Sequence, residues 1–144
     1  ARPKIASLVS LLNYEKKNVT RNKIIEMQRK KTGMLFQFCC LIPVLLSKKK
    51  QHFSRFANIG LDIGLLFQIT DDLIDHKGTE KKVGKKTRKD KKKGKATLIS
   101  LLGYKNTINY SLLLKNNIFK KLSIFKNKAN DLKETLDFVV SRDK

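Results

Sequence analysis

Gln68, Asp71, Asp72 and Asp75 carry residue types and a spacing suited to holding a cation. In a helix they fall at i, i+3, i+4 and i+7, a single stripe on a surface that turns once every ~3.6 residues. Three carboxylates with no Cys or His among them are hard oxygen donors, a set that takes Mg²⁺ or Mn²⁺ in preference to Zn²⁺. Magnesium held by few carboxylates keeps waters and substrate phosphate in its shell, so the implied ligand is a metal-bridged phosphate or diphosphate. A solvated helix face, its acids paired with nearby lysines, is the plainer reading of the same residues.

The elements that must carry this stripe are helical. Only Pro3 and Pro43 interrupt the chain, and β-branched residues never alternate with polar ones for long. Residues 22 to 46 offer Ile25, Met27, Met34, Phe38 and Leu41 as an apolar face, with Pro43 predicted to kink or break the helix near its end. Residues 48 to 52 read as a solvated turn. From 53 to 74, Phe56, Ile59, Ile63, Leu66, Phe67, Leu73 and Ile74 supply core contacts around the acids, and Gly60 and Gly64, at i and i+4, permit a close helix approach. Residues 78 to 95 collapse into Gly, Lys and Thr and predict a long basic loop. Helical patterning returns after Lys95 through Leu98, Leu101, Leu102, Ile108, Leu112, Ile118, Phe119, Leu122 and Phe125, and again from 132 to 140.

The chain has 144 residues, enough for one domain that buries about two thirds of its unfolded surface. Its formal net charge of +21 opposes compaction and invites anionic partners: nucleic acid, anionic lipid or diphosphates. Lys outnumbers Arg 27 to 6, with Asn and Ile plentiful, which fits compositional drift better than selection for phosphate recognition, where the forked guanidinium is favoured. A basic nucleic-acid-binding protein is nonetheless a rival reading, although the lysine-rich stretch lacks interleaved aromatics for stacking on bases. Cys39 and Cys40 are adjacent, so a disulfide between them would be strained, and both read as buried free thiols of a reducing cytoplasm. His52 and His76 have no metal-ligand spacing with them and read as surface residues. Gly78 and Gly84-Lys85 fail as a phosphate loop, since five residues separate the glycines, Lys86 stands where Ser or Thr is required, and a helix precedes them. The longest apolar stretch, 34 to 46, is too short to span a bilayer and contains Gln37 and Pro43, so a soluble, cytoplasmic chain is expected.

Phe67-Gln68-x-x-Asp71-Asp72-x-x-Asp75 resembles the second aspartate-rich motif of the trans-polyprenyl diphosphate synthases, the farnesyl and geranylgeranyl diphosphate synthase family. The flanking sequence is similar at the family's spacing: Lys31-Thr32-Gly33 upstream, then Gly84-Lys85, Gly94-Lys95-Ala96-Thr97 and Leu101-Leu102-Gly103. The similarity covers roughly residues 12 to 144 and is nearest the bacterial farnesyl-type branch, whose basic carboxyl terminus the ending from Val139 to Lys144 also resembles. The family's first aspartate-rich motif has no counterpart in residues 1 to 30, and Leu8 and Leu11 stand where the family shows Gln and Asp.

The resemblance implies an all-α chain of four to six helices with a long basic loop, equivalent to the carboxyl-terminal half of an isoprenoid-synthase-type bundle. It implies a prenyltransferase that condenses an allylic diphosphate with isopentenyl diphosphate using Mg²⁺, with Mn²⁺ as the alternative ion. Asp71, Asp72 and Asp75 take the metal-binding places. Lys31, Thr32, Gln68, Lys85 and Lys95 take those that bind the allylic diphosphate, the last two as lysines of a loop closing over it. The implied partners are the two prenyl substrates and either a second copy or the missing amino-terminal half. A non-catalytic remnant, or one subunit of a split enzyme, is the second rival, and no prenyl product is expected from this chain by itself.

Overall fold

In the computed structural model, residues 20–83 and 97–141 are described, and all of the ordered secondary structure among them is helical. Helix α1 (Arg21–Gln28) runs through a π-helical segment (Arg29–Gly33) into α2 (Met34–Leu46). A short 3₁₀ turn (Lys50–His52) then leads into α3 (Phe53–Val83), the longest element. Helices α4 (Leu98–Leu102), α5 (Tyr104–Leu122) and α6 (Asn130–Ser141) complete the order, with a 3₁₀ stretch (Ser123–Ala129) turning α5 into α6. The all-α expectation holds. Helix α3 is the axis of the bundle, packing on α2 and the π segment along one side and on α5 and α6 along the other.

Helix α3 takes that place because it is apolar on more than one face: Ile59, Ile63, Leu65, Leu66 and Ile69 are all buried. A helix hydrophobic around most of its circumference is stable only when wrapped. Ile24, Leu98, Leu114, Ile118, Leu122, Ala129 and Leu136 close the core around it. Gly60 and Gly64 let α2 approach as their spacing predicted. A Cβ on Gly64 would lie 2.5 Å from the Cα of Gly33, and one on Gly60 would overlap the backbone of Gln37.

One boundary differs from expectation and one does not. Helix α2 ends at Leu46, as expected, and runs unbroken through Pro43. A proline this near the end removes an amide bond that few later residues depend on. Gly78 begins no loop, because α3 runs through it to Val83. One glycine costs about 1 kcal/mol in a helix, too little to stop one nucleated by the core before it. The rest of the expected loop lies outside the described residues.

Six side-chain assignments also change. Met34 and Phe38, predicted on a core face, are 54% and 62% exposed. Cys39 is exposed and Cys40 half-buried, both as free thiols. His52 and His76 are half-buried ring partners, His52 edge-on to Phe125 at 5.2 Å and His76 stacked on Tyr104 at 5.4 Å. No helix among the described residues is long and apolar enough to cross a membrane.

Candidate functional site

The acidic stripe lies on the stretch of α3 that follows its most buried residues. Gln68, Asp71 and Asp72 are half-buried and Asp75 is exposed, so the row climbs from the helix packing toward the surface. Phe67 fixes the lower end by packing on Phe36 of α2, ring centroids 5.5 Å apart, beside the Gly33–Gly64 crossing.

Thr32 and Gln68, 36 positions apart in sequence, meet here: the Thr32 hydroxyl donates to Gln68 Oε1 at 3.1 Å. The Gln68 amide then donates to Asp72 Oδ1 at 3.3 Å. Gln28, which the sequence reading passed over, donates from Nε2 to Asp72 Oδ2 at 3.1 Å. Both oxygens of Asp72 thus accept from neutral amides. Such bonds hold a carboxylate in one orientation. Gln28 is only 4% exposed, and among the described residues its Oε1 finds no donor. A buried acceptor without a partner costs about 1–3 kcal/mol, a penalty set against the amide's grip on Asp72.

The π segment makes this convergence possible. Gln28 and Gly33 are both buried and lie five residues apart. Five residues of α-helix rotate by about 500°, which would leave the two about 140° apart around the axis. A turn closed by i→i+5 bonds brings both to the same side, facing α3. Thr32 lies in this wide turn, and so does exposed Lys31. Arg29, in the same turn, reaches Asp62 of α3 from Nη2 at 2.5 Å, and Lys121 of α5 meets the other oxygen of Asp62 at 2.5 Å. Asp62, its side chain 6% exposed, pins the wide turn to α3 and α3 to α5. It stood in the sequence as a lone acid within an apolar run, and its partners are distant in the chain, which is why periodicity did not find it.

Lys85 and Lys95 lie outside the described residues. The helix that follows them in sequence is capped at its start. Thr97 caps α4 by accepting from the Ser100 amide at 3.2 Å, while Ser100 Oγ accepts from the Thr97 amide at 3.1 Å. Gly103 then turns into α5 at φ +79°, ψ 162°, a conformation that an L side chain would strain.

As a cation site, the arrangement offers carboxylates from one helix face and no protein cage. Among the described residues no three His, Cys, Asp or Glu side chains converge closely enough to enclose a metal. That donor set fits an ion such as Mg²⁺, which retains waters and ligand oxygens, and does not fit a tetrahedral structural zinc.

The polyprenyl synthetase family model matches residues 7–137. The chain is 35% identical over 136 residues to the geranylgeranyl diphosphate synthase of Cyanophora paradoxa, covering 94% of this chain and 45% of that protein. It is 27% identical over 143 residues to the farnesyl diphosphate synthase of Bacillus subtilis, covering 96% and 47%. The crystal structure of a geranyltransferase from Helicobacter pylori 26695 superposes with a TM-score of 0.70 at 21% identity, covering 96% of this chain and 43% of that one, and so shares the fold. The chain spans about half the length of these relatives.

Proposed function

This chain belongs to the polyprenyl synthetase family, and from that premise we propose that it supplies the diphosphate-gripping half of a prenyltransferase of the farnesyl or geranylgeranyl type. The reaction would condense an allylic diphosphate with isopentenyl diphosphate, in the cytoplasm. The observation that carries this reading is the hydrogen-bonded run from Thr32 through Gln68 to Asp72, which joins two separate sequence motifs in one place.

In head-to-tail prenyl transfer the allylic diphosphate departs as an anion while positive charge develops on the prenyl carbon. A divalent ion, Mg²⁺ or Mn²⁺, supplies charge neutralisation at that leaving group when bound. The chain's own residues divide the remaining work. Asp71 and Asp75 present carboxylates on either side of Asp72, which Gln28 and Gln68 orient. The Thr32 hydroxyl, now donating to Gln68, can turn to a diphosphate oxygen, and Lys31 adds an ammonium charge from the same wide turn. Lys85 and Lys95 would close over the diphosphate and exclude water, which would otherwise quench the developing cation.

Titration calorimetry with inorganic pyrophosphate, with and without Mg²⁺, tests the reading. Binding is expected to require the ion and to weaken about tenfold in D71N and in D72N, the loss of one charge-assisted contact. D131N, at an exposed acid on α6, controls for bulk charge. Equal affinities in all three variants, or tight binding without the ion, would refute it.

A further inference from the structure

A second set of residues repeats the spacing of the acidic stripe on the far side of the same helix. Thr70, Leu73, Ile74 and Lys77 of α3 fall at i, i+3, i+4 and i+7, two positions on from Gln68, Asp71, Asp72 and Asp75. Two residues of α-helix turn by about 200°, so the two rows stand back to back on the same turns. The far row walls a cavity of about 110 Å³, which α5 and α6 close from the other side. Protein interiors hold few voids larger than a water molecule, and this one is several times that size. Small side chains make it: Thr70 and Ser111, 4% and 2% exposed, line the cavity, while one turn further into the core the same two faces carry Leu66 and Leu114. Both hydroxyls direct their protons to their own helix, Thr70 to the Leu66 carbonyl at 2.9 Å and Ser111 to that of Ile108 at 2.8 Å. With Leu73, Ile74, Ile108 and Val140 around them, the walls are those of an apolar pocket. Its outer end differs, being lined by an ammonium and a phenol, those of half-buried Lys77 and Tyr104.

We propose that this cavity is an effector site for a small branched amphiphile with an anionic head, its body between α3 and α5 and its head at Lys77 and Tyr104. Size sets the body. A cavity of ~150 Å³ takes benzene, so one of about 110 Å³ suits a branched chain of about five carbons. Chemistry sets the head, because an ammonium and a phenol O–H both favour an anionic oxygen. The effect follows from position. A guest here touches the turns of α3 that carry Asp71, Asp72 and Asp75 on their other side, and Tyr104 also stacks on His76, the neighbour of Asp75. Fixing this stretch lowers the ordering cost of a cation complex on the opposite row, so the two ligands should strengthen one another. The site stands on the cavity alone, whereas its effect rests on the ion and diphosphate reading.

Methyl NMR of the full chain, titrated with 3-methylbutanoate and in a parallel arm with 3-methylbutyl phosphate, tests the site. Saturable shifts at Ile74, Ile108 and Val140 are expected with a Kd of about 1 mM, as for a fragment-sized ligand, and the tighter of the two names the head. K77Q keeps most of the stem and removes the charge, so it should weaken both about tenfold, while S111L fills the cavity and should abolish binding. Because Ser111 is buried, circular dichroism checks the fold of S111L, and K77Q decides the matter if that variant unfolds. With the cavity occupied, the calorimetric affinity for pyrophosphate and Mg²⁺ should rise about fivefold. Acetate shifting the same methyls as strongly, 3-methylbutanol binding as tightly, or K77Q without effect would overturn the site. An unchanged pyrophosphate affinity would overturn the effector role. Pyrophosphate failing to bind at all would remove that role together with the diphosphate reading, and the methyl shifts would still decide the cavity.

Discussion

Asp72 shows how amides from two separate helices can hold a charged residue in one orientation. Gln28 and Gln68 each give it one amide, so its orientation is set before any ligand arrives. Replacing Gln28 with Leu keeps the volume and deletes that amide. Magnesium-dependent pyrophosphate affinity should then fall ten- to a hundredfold, the usual effect of losing a partner behind a metal-binding carboxylate, with far-UV circular dichroism unchanged. Retained affinity would show that the Gln28 amide is not needed to orient the carboxylate. At the same scale, burial first and the neighbouring Cys39 second push the Cys40 thiol above its ordinary range. A raised thiol pKa means less thiolate at any given pH, so at pH 8 a disulfide reagent should modify exposed Cys39 well before Cys40, and peptide mapping of the first adduct decides it. Asp72, Gln68 and Thr32 were legible in the sequence because local motifs announce them. Gln28 and Asp62 were not, since each matters only through contacts made far along the chain.

Among the elements, the crossing of α2 and α3 decides whether the two motifs meet. Gly33 and Gly64 hold their backbones close enough for the Thr32 hydroxyl to reach Gln68. Gly64→Ala puts a methyl 2.5 Å from the Gly33 Cα, so the helices must separate. The expected cost is about 1–3 kcal/mol of stability, read from urea unfolding, and the same variant should lose pyrophosphate affinity because Thr32 withdraws. An unchanged urea midpoint would mean that the crossing relaxes freely. The i, i+4 glycines and the helical period made this crossing readable in advance. Gly78 misled because a local breaker was weighed without the tertiary packing that carries a helix through it.

Across the whole molecule, a small core opposes a large like charge. Among the described residues, thirteen hydrophobic ones, from Ile24 to Leu136, are buried, while the full chain carries a net charge of +21. Salt shortens the reach of that repulsion from about 30 Å at 0.01 M to about 10 Å at 0.1 M. Thermal unfolding of the isolated chain should therefore move upward across that range, by about 4 °C for each kcal/mol of repulsion relieved. A midpoint that stays fixed or falls would mean that local ion pairs, such as the Asp62 contacts with Arg29 and Lys121, outweigh the global field. The helical class and the core contacts of α3 were legible from periodicity. The outward placement of Met34 and Phe38 was not, because α2 is apolar all round and its pattern does not say which side turns inward.

The wide turn at Arg29–Gly33 also constrains what length changes this chain can tolerate. Losing one residue there would restore ordinary winding with Gly33 four positions after Gln28, about 40° apart around the axis, so both would still face α3. Gaining one residue would instead turn everything beyond it by about 100° relative to α1, and Gly33 would no longer face Gly64 while Gln28 faced Asp72. An insertion harmless to most solvent-facing helices would, at this place, uncouple the site's two halves.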